Sequence, residues 1–337
     1  MIAKLLKELV QALWRYASFR LTGPRAGSQE GGLATPMGIP MQMPAPAPVG
    51  DRTPRLRDTP PAVAPAVYNP RASFDWQTLS RPNGHIYPGG PSLELLDRLV
   101  HEPRFILDIG CSSGDFAARV KERFPLAQIW GIEPNEEAAG IAAPRLDRVL
   151  CQTIEKVDWA QEGVKRGDID TVFLLDVLEH TYDPWSTLLS LRNLVCESAQ
   201  VVVSIPNVRN VLLMQDLVSG YWRYRMAGLL DITHIRFFTK SDMYRLFYQT
   251  GFRVAGSGAT VCHGSAEILR KHLQGEFPKV VQLESASITV QSAEELQSFC
   301  AVQHNFTLQP VEYDRLSAEE RRWIDAPHPA TVAFSGD

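Results

Sequence analysis

The sequence predicts an α/β fold: a mostly parallel, doubly wound sheet with helices on both faces. Three observations carry the prediction. From about residue 86, short apolar runs alternate with segments of helical spacing. One run, Ile169–Val177 (IDTVFLLDV), is almost continuously apolar, as a strand buried on both faces must be. Another, Leu107–Gly114 (LDIGCSSG), passes directly from an apolar stretch through a small-residue turn into helical spacing.

Residues 1–21 predict an amphipathic helix. Leu5, Leu6, Leu9, Leu13 and Trp14 fall on one side, and Lys4, Lys7, Gln11 and Arg15 on the other. Charges interrupt any apolar core of a secretory signal. The apolar face suits its own domain or a protein partner. The basic face also suits an anionic membrane surface, and a mitochondrial transit peptide is a third reading. Residues 22–85 predict a proline-rich linker, with PMGIPMQMPAPAP at 36–48 and TPPAVAP at 59–65.

Residues 86–310 predict one catalytic-sized domain and 311–337 a tail. In order, helical spacing covers Ser92–His101 and strands cover Arg104–Gly110, Gln128–Glu133, Arg148–Gln152, Ile169–Val177 and Ala199–Ile205. Helices lie at Gly114–Phe124 and Pro184–Cys196. A further helix, 239–250, opens on the cap Thr239 and stops at Gly251. Strands at Phe252–Val261 and Ala301–Leu308 flank a helix at 292–299. A short helix is expected at Ser317–Ile324.

Composition narrows the classes. The 337 residues are 45% hydrophobic and 21% charged, as in a soluble globular protein, and no apolar run of 18 residues is long enough to span a membrane. Residues 1–90 hold 10 basic and 5 acidic side chains, whereas 91–337 hold 24 and 33. The acidic main region disfavours a nucleic-acid partner. Five widely spaced cysteines (111, 151, 196, 262, 300) form neither a disulfide framework nor a CxxC metal motif, which points to a reducing, cytoplasmic compartment.

The turn after the first strand carries the chemistry. Gly110 and Gly114 allow a sharp turn and close approach of a ligand to the main chain. The spacing is G-x-x-x-G, with Ser112 and Ser113 in the middle, so a dinucleotide fingerprint is not met. Glu133 ends the second strand, where a carboxylate accepts hydrogen bonds from ribose hydroxyls. Asp108 places negative charge beside the loop. Together these describe a nucleoside site without a diphosphate, suited to an ammonium or sulfonium group.

The pattern resembles motif I of the class I S-adenosylmethionine (SAM)-dependent methyltransferases, commonly LDIGCGTG, with Ser112 at a usual glycine. Asp176-Val177-Leu178-Glu179-His180 followed by Asp183-Pro184 resembles the family's fourth-strand motif. The resemblance covers about 86–256 well and 257–310 weakly. It implies a Rossmann-like, seven-stranded, single catalytic domain with S-adenosyl-L-methionine as cofactor. It further implies that Asp108, Gly110, Ser112 and Gly114 surround the methionine part and ribose edge, and that Glu133 binds the ribose. Gln152 would lie near the adenine, with Cys151 and Thr153 as rivals, and Asp176 and Val177 would line the methionine end. Tyr87 would close over the methionine carboxylate.

The segment after Pro206-Asn207 resembles the SxPN…GLLDxTHxRFFT signature of a bacterial subgroup often associated with glycan and surface-polysaccharide modification. It predicts a lid over the strand ends that excludes water. Asp231 and His234, three apart, would share a helical face, with Asp231 holding the imidazole as general base. His180 is the alternative base. Arg223 and Arg236 would hold an anionic acceptor, and Tyr221, Trp222 and Tyr224 would stack on it. No resident metal is expected; His180, Asp183 and His234 are the set that would hold one. The expected activity is O-methylation of a small-molecule or glycan hydroxyl. The alternatives are N-methylation of an amino sugar, a non-catalytic methyltransferase-like partner module and, against the missing third glycine, a nicotinamide oxidoreductase.

Overall fold

The computed structural model describes residues 91–325. The expectations for 1–21, for the linker 22–85, for Tyr87 and for the tail beyond 325 fall outside these residues.

Seven strands form one sheet: β1 Phe105–Ile109, β2 Gln128–Ile132, β3 Arg148–Leu150, β4 Ile169–Leu175, β5 Val195–Pro206, β6 Phe252–Thr260 and β9 Gln303–Pro310. Their order is β3-β2-β1-β4-β5-β9-β6. Pairings are parallel from β3 to β5, and β9 runs antiparallel to both β5 and β6. This is the expected Rossmann-like arrangement. The chain leaves β1 toward β2 on one side and returns as β4 on the other, so the direction of winding reverses between β1 and β4, where open α/β sheets bind ligands.

Alternation of side chains decides the two core layers. All seven residues of β4 are buried. Val172 and Leu174 pack with Leu188 and Leu191 of the helix Pro184–Leu194 and with Met243 and Phe247 of the helix Lys240–Gln249. Phe173 and Leu175 face the other way, onto Phe116 and Val120 of the helix Asp115–Arg123. The Phe116 and Phe173 rings meet edge to face at 5.1 Å. Thr239 caps the helix that follows it in a reciprocal capping box with Asp242.

Several elements depart from the sequence expectation. Ser92–His101 is a six-residue 3-10 helix, Leu93–Arg98, capped by Ser92. It ends early because buried Gln200 takes the next backbone groups: its Oε1 accepts from Val100 N at 2.6 Å and its Nε2 donates to His101 O at 2.9 Å. The strand expected to reach Val177 stops at Leu175, because Asp176 adopts a left-handed φ of 57°. Helices Glu136–Ala142, Val211–Val218 and His263–His272 were not expected, nor was the separate hairpin of β7 Lys279–Gln282 and β8 Ser287–Val290. The short helix in the tail is present at Ala318–Asp325, with Trp323 against Tyr244 at 5.0 Å between centroids. Among the described residues no helix is long and apolar enough to cross a membrane.

Because β4 is packed on both faces, truncation there leaves cavities that neither layer can fill. Phe173→Ala should lower unfolding free energy by about 3–5 kcal/mol, measured by urea denaturation. A loss below about 1 kcal/mol would mean that the centre of the sheet is not packed as described.

Candidate active site

Strand register builds the site. Ile109 pairs with Ile132 on one side and with Leu174 on the other, and Ile132 pairs with Leu150. Four parallel strands therefore end in one row. The residues that follow them, Gly110, Glu133, Gln152 and Asp176, emerge along one edge of the sheet.

The first of these loops turns through left-handed backbone at three positions: Gly110 (φ 71°), Ser112 (φ 47°) and Gly114 (φ 77°). A Cβ at Gly110 would meet Val177 Cγ2 at 2.8 Å, so the position excludes any larger residue. Ser112, at the place where the resembled motif has glycine, is itself left-handed. Its left-handed geometry, costing of order 1 kcal/mol, is the physical reason a glycine suits that place. Glu133 offsets the strain. Its Oε2 accepts from Ser112 N and its Oε1 from Asn135 N, both at 2.8 Å. Each carboxylate oxygen keeps a lone pair for a further donor.

Electrostatics set this edge apart. Asp108 is buried in β1, and burial, then the charge of Glu133, push its carboxyl up to about 7. Burial also raises Glu133, against the two backbone N–H bonds that lower it. Two close carboxyls with little compensating positive charge favour a cationic ligand. Gln152, Cys151 and Thr153 stand together beyond β3, and no contact singles out one of them; Thr153 opens the short 3-10 helix Ile154–Lys156. Asp176 N donates to Ser204 Oγ at 3.1 Å, and Asp176 Oδ1 accepts from Ser204 Oγ at 3.3 Å and from Gln303 Nε2. Ser204 and Gln303 were not among the expected site residues. Gln303 comes from β9, far away in sequence, and nothing local marks it.

The segment 208–238 folds back over the end of β4. Buried Asn207 anchors it, donating from Nδ2 to Ser298 O and Ala301 O, both at 2.9 Å. Asn210 caps the helix Val211–Val218 and donates to Cys300 O and Ala301 O. At the far end, the Glu179 carbonyl accepts from Ile235 N at 2.9 Å and from Arg236 N at 3.0 Å. Arg236 donates from Nε to Tyr182 O at 3.0 Å, so it ties the lid to the β4 loop rather than offering itself to an acceptor. Tyr221, Trp222 and Tyr224 are exposed, and Arg223 lies 3.7 Å from the centre of the Tyr221 ring.

Asp231 and His234 lie in a turn, not on a helical face, with His234 N donating to Asp231 O at 3.0 Å. The Asp231 carboxylate accepts from Thr233 N at 2.9 Å and Thr233 Oγ1 at 2.7 Å. Its charge reaches His234 through space. Burial lowers the His234 pKa, and Asp231 opposes the shift. His234 Nδ1 lies 3.2 Å from Leu229 O. His180 packs edge-on against it at 4.8 Å between ring centroids, and burial, then His234, lowers His180 to about 4. Both imidazoles are therefore neutral at pH 7. Beside them stands Glu179, 1% exposed, whose carboxyl meets the Asp176 carboxyl and its own backbone N–H but no cationic group among the described residues. Burial raises Glu179 well above the usual carboxyl range, and Asp176 and Asp231 add to the shift. Asp183, grouped with the histidines on sequence, is instead the cap of the helix Pro184–Leu194, accepting from Ser186 N at 3.0 Å.

Residues 91–256 match the model of a methyltransferase-domain family. Over that span the chain is similar to the domain of class I SAM-dependent methyltransferases. Among curated relatives, a trans-aconitate 2-methyltransferase of Acidovorax sp. (strain JS42) is 38% identical over 146 residues, which are 42% of this chain and 55% of that protein. A ubiquinone biosynthesis O-methyltransferase of Aromatoleum aromaticum is 31% identical over 158 residues, 44% of this chain and 64% of that protein. The chain thus spans a little over half the length of the curated relatives it matches. A solved structure described as a possible histamine N-methyltransferase from Thermotoga maritima aligns with 64% of this chain and 86% of its own, at 18% identity and a TM-score of 0.42.

S-adenosylmethionine is the cofactor, and the residues present fit it. The Ser112 hydroxyl is buried without a hydrogen-bond partner, the Gly110 turn admits no side chain, and the two buried carboxyls suit a ligand that carries positive charge and ribose hydroxyls.

Two outcomes follow. Glu133→Ala removes an acceptor for the ligand and for Ser112 N, and should weaken SAM binding by roughly 1–3 kcal/mol in calorimetry; unchanged affinity would move the site elsewhere. Asp108 has a folded pKa of about 7, above its unfolded value of ~3.9, so the folded state holds the extra proton between them. Its contribution to stability is full below about pH 4 and is lost as pH rises through about 7. Urea midpoints of the ligand-free protein should fall between pH 5 and 8 more steeply in the wild type than in Asp108→Asn. Parallel profiles would contradict the assigned pKa.

Proposed function

We propose that this chain methylates a hydroxyl oxygen of a small molecule or glycan. The observation that carries the reading is the pair of buried imidazoles, His180 and His234, packed edge to face at the end of β4. The named activity of the ubiquinone biosynthesis O-methyltransferase relative supports oxygen as the acceptor atom. The exposed aromatic surface of Tyr221, Trp222 and Tyr224 supports a ring- or sugar-bearing acceptor.

Bound S-adenosylmethionine supplies an electrophilic methyl on a sulfonium, which an oxygen nucleophile displaces with release of the thioether. The chain's own residues bind and place. Glu133 would hold the ribose hydroxyls, Gln152 the adenine, and Asp108 would offset positive charge. Gly110, Ser112 and Gly114 present backbone to the ligand, and Asp176 and Val177 bound its methionine end. Asn207 and Arg236 hold the lid that keeps water out. Leu229 O, an acceptor only, fixes the proton of His234 on Nδ1 and leaves the Nε2 lone pair to act on the acceptor hydroxyl. Asp231 holds the turn through Thr233 and acts on the ring by its charge. Residues 1–21, on their sequence, supply a membrane-surface or protein contact.

His234→Ala should lower turnover by ~10²-fold or more, while SAM affinity and melting temperature stay near wild type. A joint loss of stability and SAM affinity would make His234 a lid support. Near-normal turnover across pH 6–9 would point to a nitrogen acceptor. Absence of any turnover on fractionated extract with labelled donor, despite SAM binding, would favour the non-catalytic module.

A further inference from the structure

The geometry points to a divalent-cation site formed by Glu179, His180 and His234. A ligand atom of each of the three lies within 4.8 Å of the others. His234 Nε2 and Glu179 Oε1 are 4.0 Å apart, too far for a hydrogen bond and open enough to admit an ion between them.

Three features separate this cluster from an ordinary packed histidine pair. First, Glu179 is almost fully buried and no cationic side chain among the described residues meets its carboxyl; its neighbours there are another acid, Asp176, and its own backbone N–H. A carboxylate in that condition is costly to keep unless a cation meets it. Second, both imidazoles are oriented from behind. His180 Nδ1 lies 3.3 Å from Thr233 O, and His234 Nδ1 lies 3.2 Å from Leu229 O. A carbonyl only accepts, so each Nδ1 carries the proton and each Nε2 is the coordinating nitrogen. Metal-binding histidines are typically held in this way. Third, the ligands are fixed by structure on both sides. Glu179 and His180 are neighbours in the 3-10 turn Leu178–His180 directly after β4. The Glu179 carbonyl receives Ile235 N and Arg236 N, which brings His234 to them.

Two neutral imidazoles and one carboxylate favour zinc, manganese, iron(II) or cobalt over magnesium or calcium. Three protein ligands leave positions open for a substrate oxygen. This deepens the proposed function and rests on it only for what the ion does. A hydroxyl bound at the open position would become more acidic and would give its proton to the Asp176 carboxylate, which adjoins Glu179. His234 then acts on the acceptor through the ion rather than by taking the proton itself.

The test uses the untagged full chain, stripped with EDTA and dialysed into metal-free buffer. Titration with Zn2+ and with Mn2+ by calorimetry, and metal content by mass spectrometry after gel filtration, should give one ion per chain. Glu179→Gln and His234→Ala should each weaken binding by at least ~10-fold, the lower end for loss of one interaction at a metal site. Absence of stoichiometric binding, or unchanged affinity in Glu179→Gln, overturns the site. Should the variants fail to fold, Co2+ added to the stripped wild type decides the matter. A visible absorption band that Zn2+ displaces supports the site, and its absence refutes it. Ion binding whose removal leaves methyl transfer unchanged keeps the site and the proposed function, and removes only the link between them.

Discussion

Ile109, Ile132, Leu150 and Leu174 stand in one row across four parallel strands, and that register decides where every functional loop begins. The register is fixed by burial. β4 is covered on both faces, so a slip of one residue would exchange Phe173 and Leu175 with Val172 and Leu174 and place each in the wrong layer. With the strands so held, the Gly110 turn, Glu133, Gln152 and Asp176 have no choice but to share one edge. The cofactor site is thus a consequence of core packing, not a separate construction.

That edge carries unusual charge. Asp108, Glu133, Asp176 and Glu179 follow or end adjoining strands, and Asp108, Glu133 and Glu179 are buried. The burial of carboxyls costs stability, which the protein tolerates where ligands return the balance. At the β1–β2 end, the backbone N–H groups of Ser112 and Asn135 meet Glu133, and a cationic ligand would offset the remaining charge. At the β4 end the Glu179 carboxyl meets another acid, Asp176, and no cationic side chain among the described residues, and the two histidines adjoin it. The two ends of this edge therefore differ in kind: one carboxyl is held by backbone N–H groups, the other stands among acids and histidines.

Much of this was legible in the sequence. Apolar runs as long as Ile169–Leu175 and a glycine turn after Leu107-Asp108-Ile109 have a single physical meaning, and all seven strands of the sheet lie where the runs do. Shorter elements were missed where caps read as loop. Asn135 and Asn210 begin the helices Glu136–Ala142 and Val211–Val218, and both helices are too brief for a strong period. Ser112 shows a different limit: its left-handed backbone follows from the turn, not from its own preference. Asp231 and His234 illustrate why spacing alone misleads, since three residues apart can be a turn as well as a helix. Glu179 was in view as part of a motif, but only its burial beside Asp176 and the two histidines sets it apart. Gln303 reaches the site through tertiary contact and leaves no trace in local sequence.

The central claim is that one sheet edge holds the cofactor with its reactive end toward the histidines. The most direct measurement is a crystal structure of the full chain with S-adenosylhomocysteine. The account predicts the ribose hydroxyls on the Glu133 carboxylate and the thioether sulfur facing His180 and His234. A ligand bound away from Glu133, or a sulfur turned away from the histidine pair, would contradict it.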